Sequence, residues 1–234
     1  ILREVVQRSV ADLRSSESGR KYLEGRGLDP LKLLESYTLG YWNGKTFANL
    51  ESSEKEKLKV IGLVNESRAL FENCIIFPLN KDGRFTTVYG RKTEISNGPD
   101  CRPFDAAQGR HYLLPCKREG LFLPQAGLNP CRPVIITESI IDGLSLFAAG
   151  VTNVLPLLGV NGFLPDHLEY LKRQSFPMVH IALNGDDAGN KAAAQLRQNL
   201  VAQGIPALII ELPSGKDLND MLLELGPHKL KQWV

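Results

Sequence analysis

The sequence of 234 residues lacks paired cysteines and long hydrophobic runs, and each absence excludes a class of protein. No two cysteines form a CxxC pair, which argues against a local zinc site and against a dense disulfide scaffold. The four are widely spaced: Cys74, Cys101, Cys116 and Cys131. Free thiols in a reducing cytosol are the simplest interpretation, so we expect a cytoplasmic protein. No apolar run approaches the ~20 residues of a membrane span, so we expect no membrane partner.

A strong charge of either sign is also missing. The 28 Lys and Arg residues nearly balance the 26 Asp and Glu residues, and the formal net charge is +2. So small an excess does not by itself indicate nucleic-acid binding, and any basic surface must be local. The sequence carries no signal peptide and does not begin with Met, which predicts a piece of a longer protein or a processed chain.

The sequence does contain three clusters of acidic and polar residues, each directly after an apolar run of strand length. They are Glu138 and Asp142 after Val134–Ile136, then Asn184, Asp186 and Asp187 after Val179–Leu183, then Asp217 and Asp220 after Leu208–Leu212. Carboxylates at the ends of buried strands are costly unless they hold something positive. Ligands of an open α/β sheet bind beyond the carboxyl ends of its strands, where the three clusters should converge. A hard divalent cation with oxygen ligands is the predicted occupant.

Apolar runs and helical patterns alternate after residue 131, which predicts a parallel sheet with helices on both faces. We therefore predict one domain over residues 131–234 and a mixed α+β subdomain over residues 1–130. The α+β subdomain should contain N-terminal helices and a hairpin, with Cys74–Leu79 and Phe85–Tyr89 flanking a Lys81-Asp82-Gly83 turn.

Short motifs occur throughout the chain and are most specific in its C-terminal part. There they are Glu138…Asp142, Leu158-Gly159, Asn184-Gly185-Asp186-Asp187-Ala188-Gly189 and Gly215-Lys216-Asp217-Leu218-Asn219-Asp220. Upstream lie Tyr22-Leu23, Arg26-Gly27-Leu28, Leu39-Gly40-Tyr41, Asp82-Gly83-Arg84, Tyr89-Gly90-Arg91 and His111-Tyr112-Leu113. The C-terminal set resembles a TOPRIM domain, and the whole set resembles the catalytic core of DnaG-type primases. The resemblance implies an α/β fold, with a Rossmann-like parallel-sheet TOPRIM domain after the α+β subdomain.

The resemblance also implies a function. A core of this family would be a nucleotidyltransferase that synthesises primers on single-stranded DNA from nucleoside triphosphates, with a replicative helicase as a further partner. It would use Mg²⁺ or Mn²⁺ and no organic cofactor, with zinc only in an N-terminal module outside this sequence. The implied catalytic residues are Glu138, Asp142, Asp186 and Asp217, and the implied metal ligands are Glu138, Asn184, Asp186 and Asp217.

Basic residues are interleaved with the predicted hairpin and would bind the template backbone or the nucleotide. The predicted binding residues are Arg84, Arg91, Lys92, Arg110, His111 and Lys216. Arg91 is the strongest of them, because Tyr89-Gly90-Arg91 matches the motif of the family. Ordinary surface charge is the alternative explanation for the others.

Three positions depart from the family pattern: Ser139 replaces a Gly, His111 replaces a Lys, and Asn184 replaces the first Asp of D-x-D. Asn184 matters most, because an amide oxygen can coordinate a metal but brings no charge. The sequence therefore predicts a weakened metal site and leaves open whether the chain is a full polymerase.

The same residues also allow other interpretations of the function. The chain could be a single-stranded nucleic-acid-binding module of a mobile-element replication protein or a primase–helicase, or it could be a TOPRIM nuclease, although the hairpin argues against a nuclease. Single acidic residues also have structural explanations. Asp187 could cap a helix over Ala188–Ala202, Asp142 could be exposed on a helix, and Asp217 with Asp220 could cap Met221–Leu225.

Overall fold

The computed structural model describes residues 1–43, 50–64, 70–93 and 111–234. The chain folds into two compact units, one of residues 1–24 and 30–120 and the other of residues 25–29 and 121–234. The short segment Gly25–Asp29 therefore belongs to the second unit, although both of its sequence neighbours belong to the first. The boundary that the sequence predicts near residue 131 stays a prediction.

The first unit is built on an antiparallel sheet in the order β1-β2-β3-β4. Its strands are β1 (Gly40–Trp42), β2 (Cys74–Lys81), β3 (Arg84–Lys92) and β4 (His111–Leu113). Its helices include α1 (Leu2–Ser15), α2 (Glu17–Glu24), α3 (Pro30–Ser36) and α4 (Ser52–Val60). A buried apolar cluster joins α1 to the sheet, with Val5 and Val6 packed among residues such as Trp42, Ile76 and Val88.

The predicted hairpin is present and its two strands are longer than the sequence indicated. Asp82 and Gly83 form the turn with left-handed φ angles of 50° and 78°, and the Gly83 amide donates to Asn80 Oδ1 at 3.0 Å. A register shift lies between Leu79 and Asn80, and beyond it Ile75 pairs with Arg91. The hairpin therefore carries Arg91 away from the turn, to the end of the sheet where β4 also pairs.

The second unit is built on a parallel sheet in the order β6-β5-β7-β8, as the alternating pattern predicts. Its strands are β5 (Val134–Thr137), β6 (Val154–Pro156), β7 (Val179–Ala182) and β8 (Ala207–Ile209). Its helices include α5 (Ile140–Ala148), α6 (Pro165–Gln174), α7 (Asp187–Ala202), α8 (Leu218–Leu225) and α9 (Pro227–Trp233).

Both faces of this sheet are covered by helices. Val134 and Ile136 pack in one core with residues of α6 and α7, while α5 packs on β5 and β6. The helices α8 and α9 pack on α5 in turn. As a result α5 is buried over most of its surface, because one side meets the sheet and another side meets two helices.

The last strand differs from the predicted run Leu208–Leu212, because β8 ends at Ile209. It lies at the edge of the sheet and pairs only with β7, and the Leu208 side chain is 50% exposed. After the Ile210 amide donates to the Ile181 carbonyl at 2.9 Å, the chain leaves the sheet. Leu212 is buried but does not pair with a strand of the sheet. The end of the apolar run therefore indicates a buried segment and not a continuation of the strand.

Over the residues described, none of the helices combines the length and the apolar character that crossing a membrane requires.

Candidate active site

The loops that follow the parallel strands are held together by backbone hydrogen bonds. The Gly159 amide, after β6, donates to the Glu138 carbonyl at 2.9 Å. The loops after β7 and β8 pair with each other, since the Gly185 amide donates to Lys216 O at 2.9 Å and the Gly215 amide donates to Gly185 O at 2.8 Å. The three predicted clusters therefore lie at the same edge of one sheet.

Two glycines are required for the turn that carries Asn184 and Asp186. A Cβ atom on Gly185 would lie 2.1 Å from the Pro213 carbonyl oxygen, and one on Gly189 would lie 2.2 Å from the Asn184 carbonyl oxygen. Both contacts are with backbone atoms, which a side chain cannot push aside cheaply. The close approach of the loops after β7 and β8 therefore depends on glycine at position 185, and the turn itself depends on glycine at position 189.

Glu138 follows β5 and is held by Asn184. The Asn184 amide nitrogen of the backbone donates to Glu138 Oε2 at 3.2 Å, and its side-chain Nδ2 donates to Glu138 Oε1 at 3.1 Å. Burial raises the pKa of Glu138, and the carboxylates of Asp186 and Asp217 raise it further, against the backbone hydrogen bond from Asn184. The half-buried carboxylate thus lies within the field of the other two clusters.

Asp142 is only 2% exposed, so the alternative that places it on an exposed helix surface is wrong. Its Oδ2 accepts from the Ser139 hydroxyl at 2.6 Å and from the Ser139 amide at 3.2 Å, and its Oδ1 accepts from the Asn219 amide at 3.3 Å. Burial raises the pKa of Asp142 to about 7, with a further contribution from the charge of Asp217. A carboxyl so placed lies close to half-protonated at neutral pH.

Asp186 and Asp217 each begin a helix. Asp186 Oδ1 accepts from the Gly189 amide at 2.7 Å, and Asp217 Oδ1 accepts from the Asp220 amide at 2.7 Å. The predicted cap at Asp217 is confirmed, but the cap of α7 is Asp186 and not Asp187. Asp186 has the extended backbone that an N-cap needs, whereas Asp187 is already helical. Among the described residues, no group donates a hydrogen bond to the Oδ2 atom of Asp186 or of Asp217.

Asn219 is fully buried and connects three parts of the second unit. Its Oδ1 accepts from Arg26 Nη1 at 3.0 Å, and its Nδ2 donates to the Arg26 carbonyl at 2.8 Å and to Ser145 Oγ at 2.9 Å. This role of Asn219 could not be predicted from the sequence. The two partners are 193 residues apart, and no local pattern links them.

Replacing Asn219 by Ala is expected to lower the free energy of unfolding by about 2–3 kcal/mol. The change removes the hydrogen bonds that the fully buried Asn219 side chain makes to Arg26 and to the buried Ser145 hydroxyl, which costs more than the loss of exposed bonds. Chemical denaturation measures the effect. Asn190→Ala, at an exposed position of α7, is the control and should change stability by less than about 0.5 kcal/mol. Equal effects of the two changes would contradict this role of Asn219.

Two of the predicted binding residues of the first unit, Arg91 and His111, belong to one hydrogen-bonded group. Arg91 Nε donates to the Tyr22 hydroxyl at 2.9 Å, and Arg91 Nη1 lies 3.4 Å from His111 Nε2. The other ring nitrogen of His111 is hydrogen-bonded to the Tyr89 hydroxyl. Arg91 can donate to Nε2 only if the His111 proton is on Nδ1, so this arrangement requires a neutral imidazole.

The remaining predicted binding residues lie apart from that group. Arg84 is exposed beside the hairpin turn, and Lys92 is half-buried at the end of β3. Lys216, in the second unit, is adjacent to Asp217 and forms an ion pair with Glu224. Arg110 lies outside the described residues.

The donor types at the sheet edge suit a hard cation, but the side chains do not form a closed cage. Across the described parts of the chain, no three His, Cys, Asp or Glu side chains are grouped so that they could hold a metal ion as they stand. Carboxylate and amide oxygens are nevertheless the ligands that Mg²⁺ and Mn²⁺ prefer, and the free oxygens of Asp186 and Asp217 are available. The residues fit such an ion provided that Glu138 turns from its contact with Asn184.

Residues 135–222, which lie in the second unit, match the Toprim-like family. The chain is 25% identical to the DNA primase of Aquifex aeolicus over 237 residues, and this alignment covers 95% of the chain and 45% of the Aquifex protein. It is 24% identical to the DNA primase of Chlamydia trachomatis over 224 residues, and this alignment covers 94% of the chain and 37% of the Chlamydia protein. The chain thus spans less than half the length of these curated relatives.

Solved primase structures share the fold over nearly the whole chain. The Aquifex aeolicus primase, with its zinc-binding and RNA polymerase domains, matches with a TM-score of 0.77 at 23% identity, over 99% of this chain and 59% of that one. The DnaG primase catalytic domain bound to single-stranded DNA matches with a TM-score of 0.74 at 21% identity, over 98% of this chain and 75% of that one. The chain therefore has the fold of a DnaG-type primase core with a TOPRIM domain, as its motifs predict.

Proposed function

We propose that this chain is the core of a nucleotidyltransferase that synthesises primers on single-stranded DNA from nucleoside triphosphates, with Mg²⁺ or Mn²⁺. The observation that carries the proposal is the convergence of Glu138, Asp142, Asp186 and Asp217 at the carboxyl edge of one parallel sheet. Burial raises the pKa of Glu138 and of Asp142, and the charges of neighbouring carboxylates in this group raise both further. The relatives named DNA primase support the same activity. A replicative helicase is proposed as a further partner only because the resemblance to the family implies one.

The acidic residues have different roles in this proposal. Asp186 and Asp217 would hold a divalent ion with the oxygens that do not cap helices, and Glu138 and Asn184 complete the predicted ligand set. A bound divalent ion neutralises the charge that develops on the transferring phosphoryl group. Asp142 is too deeply buried to meet a substrate and acts through Ser139 and Asn219, which it positions.

The Arg91 group of the first unit would bind phosphates of the template or of the incoming nucleotide. The guanidinium is held on one side by Tyr22 and on another by His111, so little side-chain entropy is lost when a phosphate binds. Single-stranded DNA in the solved structure of a DnaG primase catalytic domain supports this class of ligand. Arg84, Lys92, Arg110, His111 and Lys216 remain further proposed contacts.

Arg91→Gln is expected to weaken the binding of a single-stranded DNA oligonucleotide roughly tenfold, whereas Arg84→Gln should weaken it by no more than about threefold. Both changes remove one positive charge, but only Arg91 is preorganised by neighbouring side chains. Fluorescence anisotropy at fixed salt measures both affinities. Equal losses would show that general charge, and not the Arg91 group, provides the binding.

The decisive experiment is primer synthesis on a single-stranded template with nucleoside triphosphates and Mg²⁺ or Mn²⁺. The chain as it stands and its Asn184→Asp variant are assayed together, with Asp217→Asn as the negative control. Product from either protein that disappears in the control supports the proposal. Absence of product from both, in protein that is folded by circular dichroism, overturns it.

A single-stranded DNA-binding module is the second candidate function. It is favoured by one observation, that both oxygens of Glu138 are occupied by Asn184. DNA binding without synthesis, even with Asp at position 184, would support the binding module against the polymerase.

A further inference from the structure

We propose that the Asn184 amide takes the place of a cation beside Glu138, so that the site keeps its shape when no metal is bound. The inference rests on the proposed function for the identity of the metal site. It concerns the metal-free chain, however, and predicts effects on stability that do not depend on synthesis.

The orientation of the Asn184 side chain is fixed by its partner. A carboxylate only accepts hydrogen bonds, so the group that faces Glu138 Oε1 at 3.1 Å must be the NH₂ of the amide. The backbone amide of the same residue holds Oε2 at 3.2 Å. One residue therefore supplies a donor to each oxygen of Glu138.

This pairing meets an electrostatic need. Glu138 is half-buried and lies within the field of Asp186 and Asp217, which disfavours its charged form. In a cluster of carboxylates a divalent ion usually offsets this repulsion. Here two N–H dipoles point at Glu138 and stabilise its charge without an ion.

An aspartate at position 184 would reverse the effect. It would place a carboxylate oxygen where the amide NH₂ now lies. Two carboxylates in contact repel each other unless a cation lies beside them or they share a proton. The backbone of the turn would not need to change, because the aspartate and asparagine side chains have nearly the same shape. Aspartate at this position should therefore make the stability of the site depend on metal.

The test compares the melting temperatures of four proteins in EDTA and in MnCl₂: the chain as it stands, Asn184→Asp, the exchange Glu138→Gln with Asn184→Asp, and Asn190→Asp. The exchange variant has the same total charge as the unchanged chain. It also keeps one amide–carboxylate pair, with the amide now at position 138 and the carboxylate at position 184. Asn190→Asp adds the same charge as Asn184→Asp at an exposed position of α7.

In EDTA, Asn184→Asp should melt roughly 4–8 °C below the unchanged chain, and the exchange variant should regain most of that loss. Asn190→Asp should melt close to the unchanged chain. MnCl₂ should raise the melting temperature of Asn184→Asp more than that of the unchanged chain, and calorimetry should show Mn²⁺ binding about tenfold tighter in that variant.

Equal melting temperatures of Asn184→Asp and the unchanged chain in EDTA would overturn the inference. An exchange variant that is as unstable as Asn184→Asp would also overturn it. So would an equal rise in melting temperature of Asn184→Asp and the unchanged chain in MnCl₂. If the melting pattern is found but no form of the chain makes primers, the inference stands and the proposed function fails. If primers are made without the melting pattern, the proposed function stands and the inference fails.

Discussion

Asp186→Asn should lower the rate of primer synthesis by about 100-fold or more, in the form of the chain that is most active with Mg²⁺ or Mn²⁺. The substitution removes a negative charge from the edge of the sheet but keeps an oxygen that can cap α7, since Asn is as good an N-cap as Asp. Loss of activity would then reflect lost metal binding and not a lost helix. The measurement is a steady-state primer-synthesis assay on a single-stranded template.

The neighbouring Asp187 provides a matched control. It is exposed, lies one residue further on and carries the same charge, but it does not cap the helix. Asp187→Asn should retain activity within about threefold of the parent, because Asp187, unlike Asp186, is not among the carboxylates whose charge acts on Glu138. Equal losses in the two variants would contradict the assignment of Asp186 to the metal site.

The second large effect is on stability. In EDTA, the free energy of unfolding should fall as pH rises from about 4 to about 7, and this contribution should then level off. The folded chain keeps the proton of Asp142 up to a pKa of about 7, whereas the unfolded chain releases it near the ordinary pKa of 3.8, so the folded state binds more protons between these values. A difference of about three pKa units is on the order of 4 kcal/mol. Glu138, whose pKa is also raised, contributes with the same sign.

Asp142→Asn isolates the contribution of this carboxyl. The variant cannot ionise, so the difference in stability between it and the unchanged chain should shift in favour of the variant as pH rises through the window. Urea denaturation at several pH values measures that difference. A difference independent of pH would show that the Asp142 carboxyl titrates alike in the folded and unfolded chain.

Much of this fold could be predicted because the second unit obeys local rules. Strands of buried residues alternate with helices of ordinary length, and this pattern defines a parallel sheet whose carboxyl edge collects the loops. The acidic clusters come directly after those strands, so their convergence follows from topology alone. The hairpin of the first unit was equally clear, because Asp82-Gly83 is suited to a turn with left-handed φ angles.

The burial of Asp142 could not be predicted, for a physical reason. One face of α5 meets the sheet, and a single covered face would leave Asp142 in solvent. The helices α8 and α9 cover α5 from another side, and they come about 70 residues later in the chain. The N-cap of α7 could not be predicted either. Asp186 and Asp187 are both suitable N-cap residues by type, and only the backbone angles decide between them.

The segment Gly25–Asp29 has a consequence for how this protein can be divided. Leu28 is 1% exposed and Arg26 holds Asn219, so the second unit obtains part of its interior from a stretch that is synthesised almost 100 residues before the rest of it. The chain passes between the units three times, after residues 24, 29 and 120. Recombination at a single junction therefore cannot transfer this TOPRIM unit intact to another protein. A transplanted unit would need residues 25–29 supplied as a second piece, and a library of chimaeras cut only near residue 121 should yield unstable proteins.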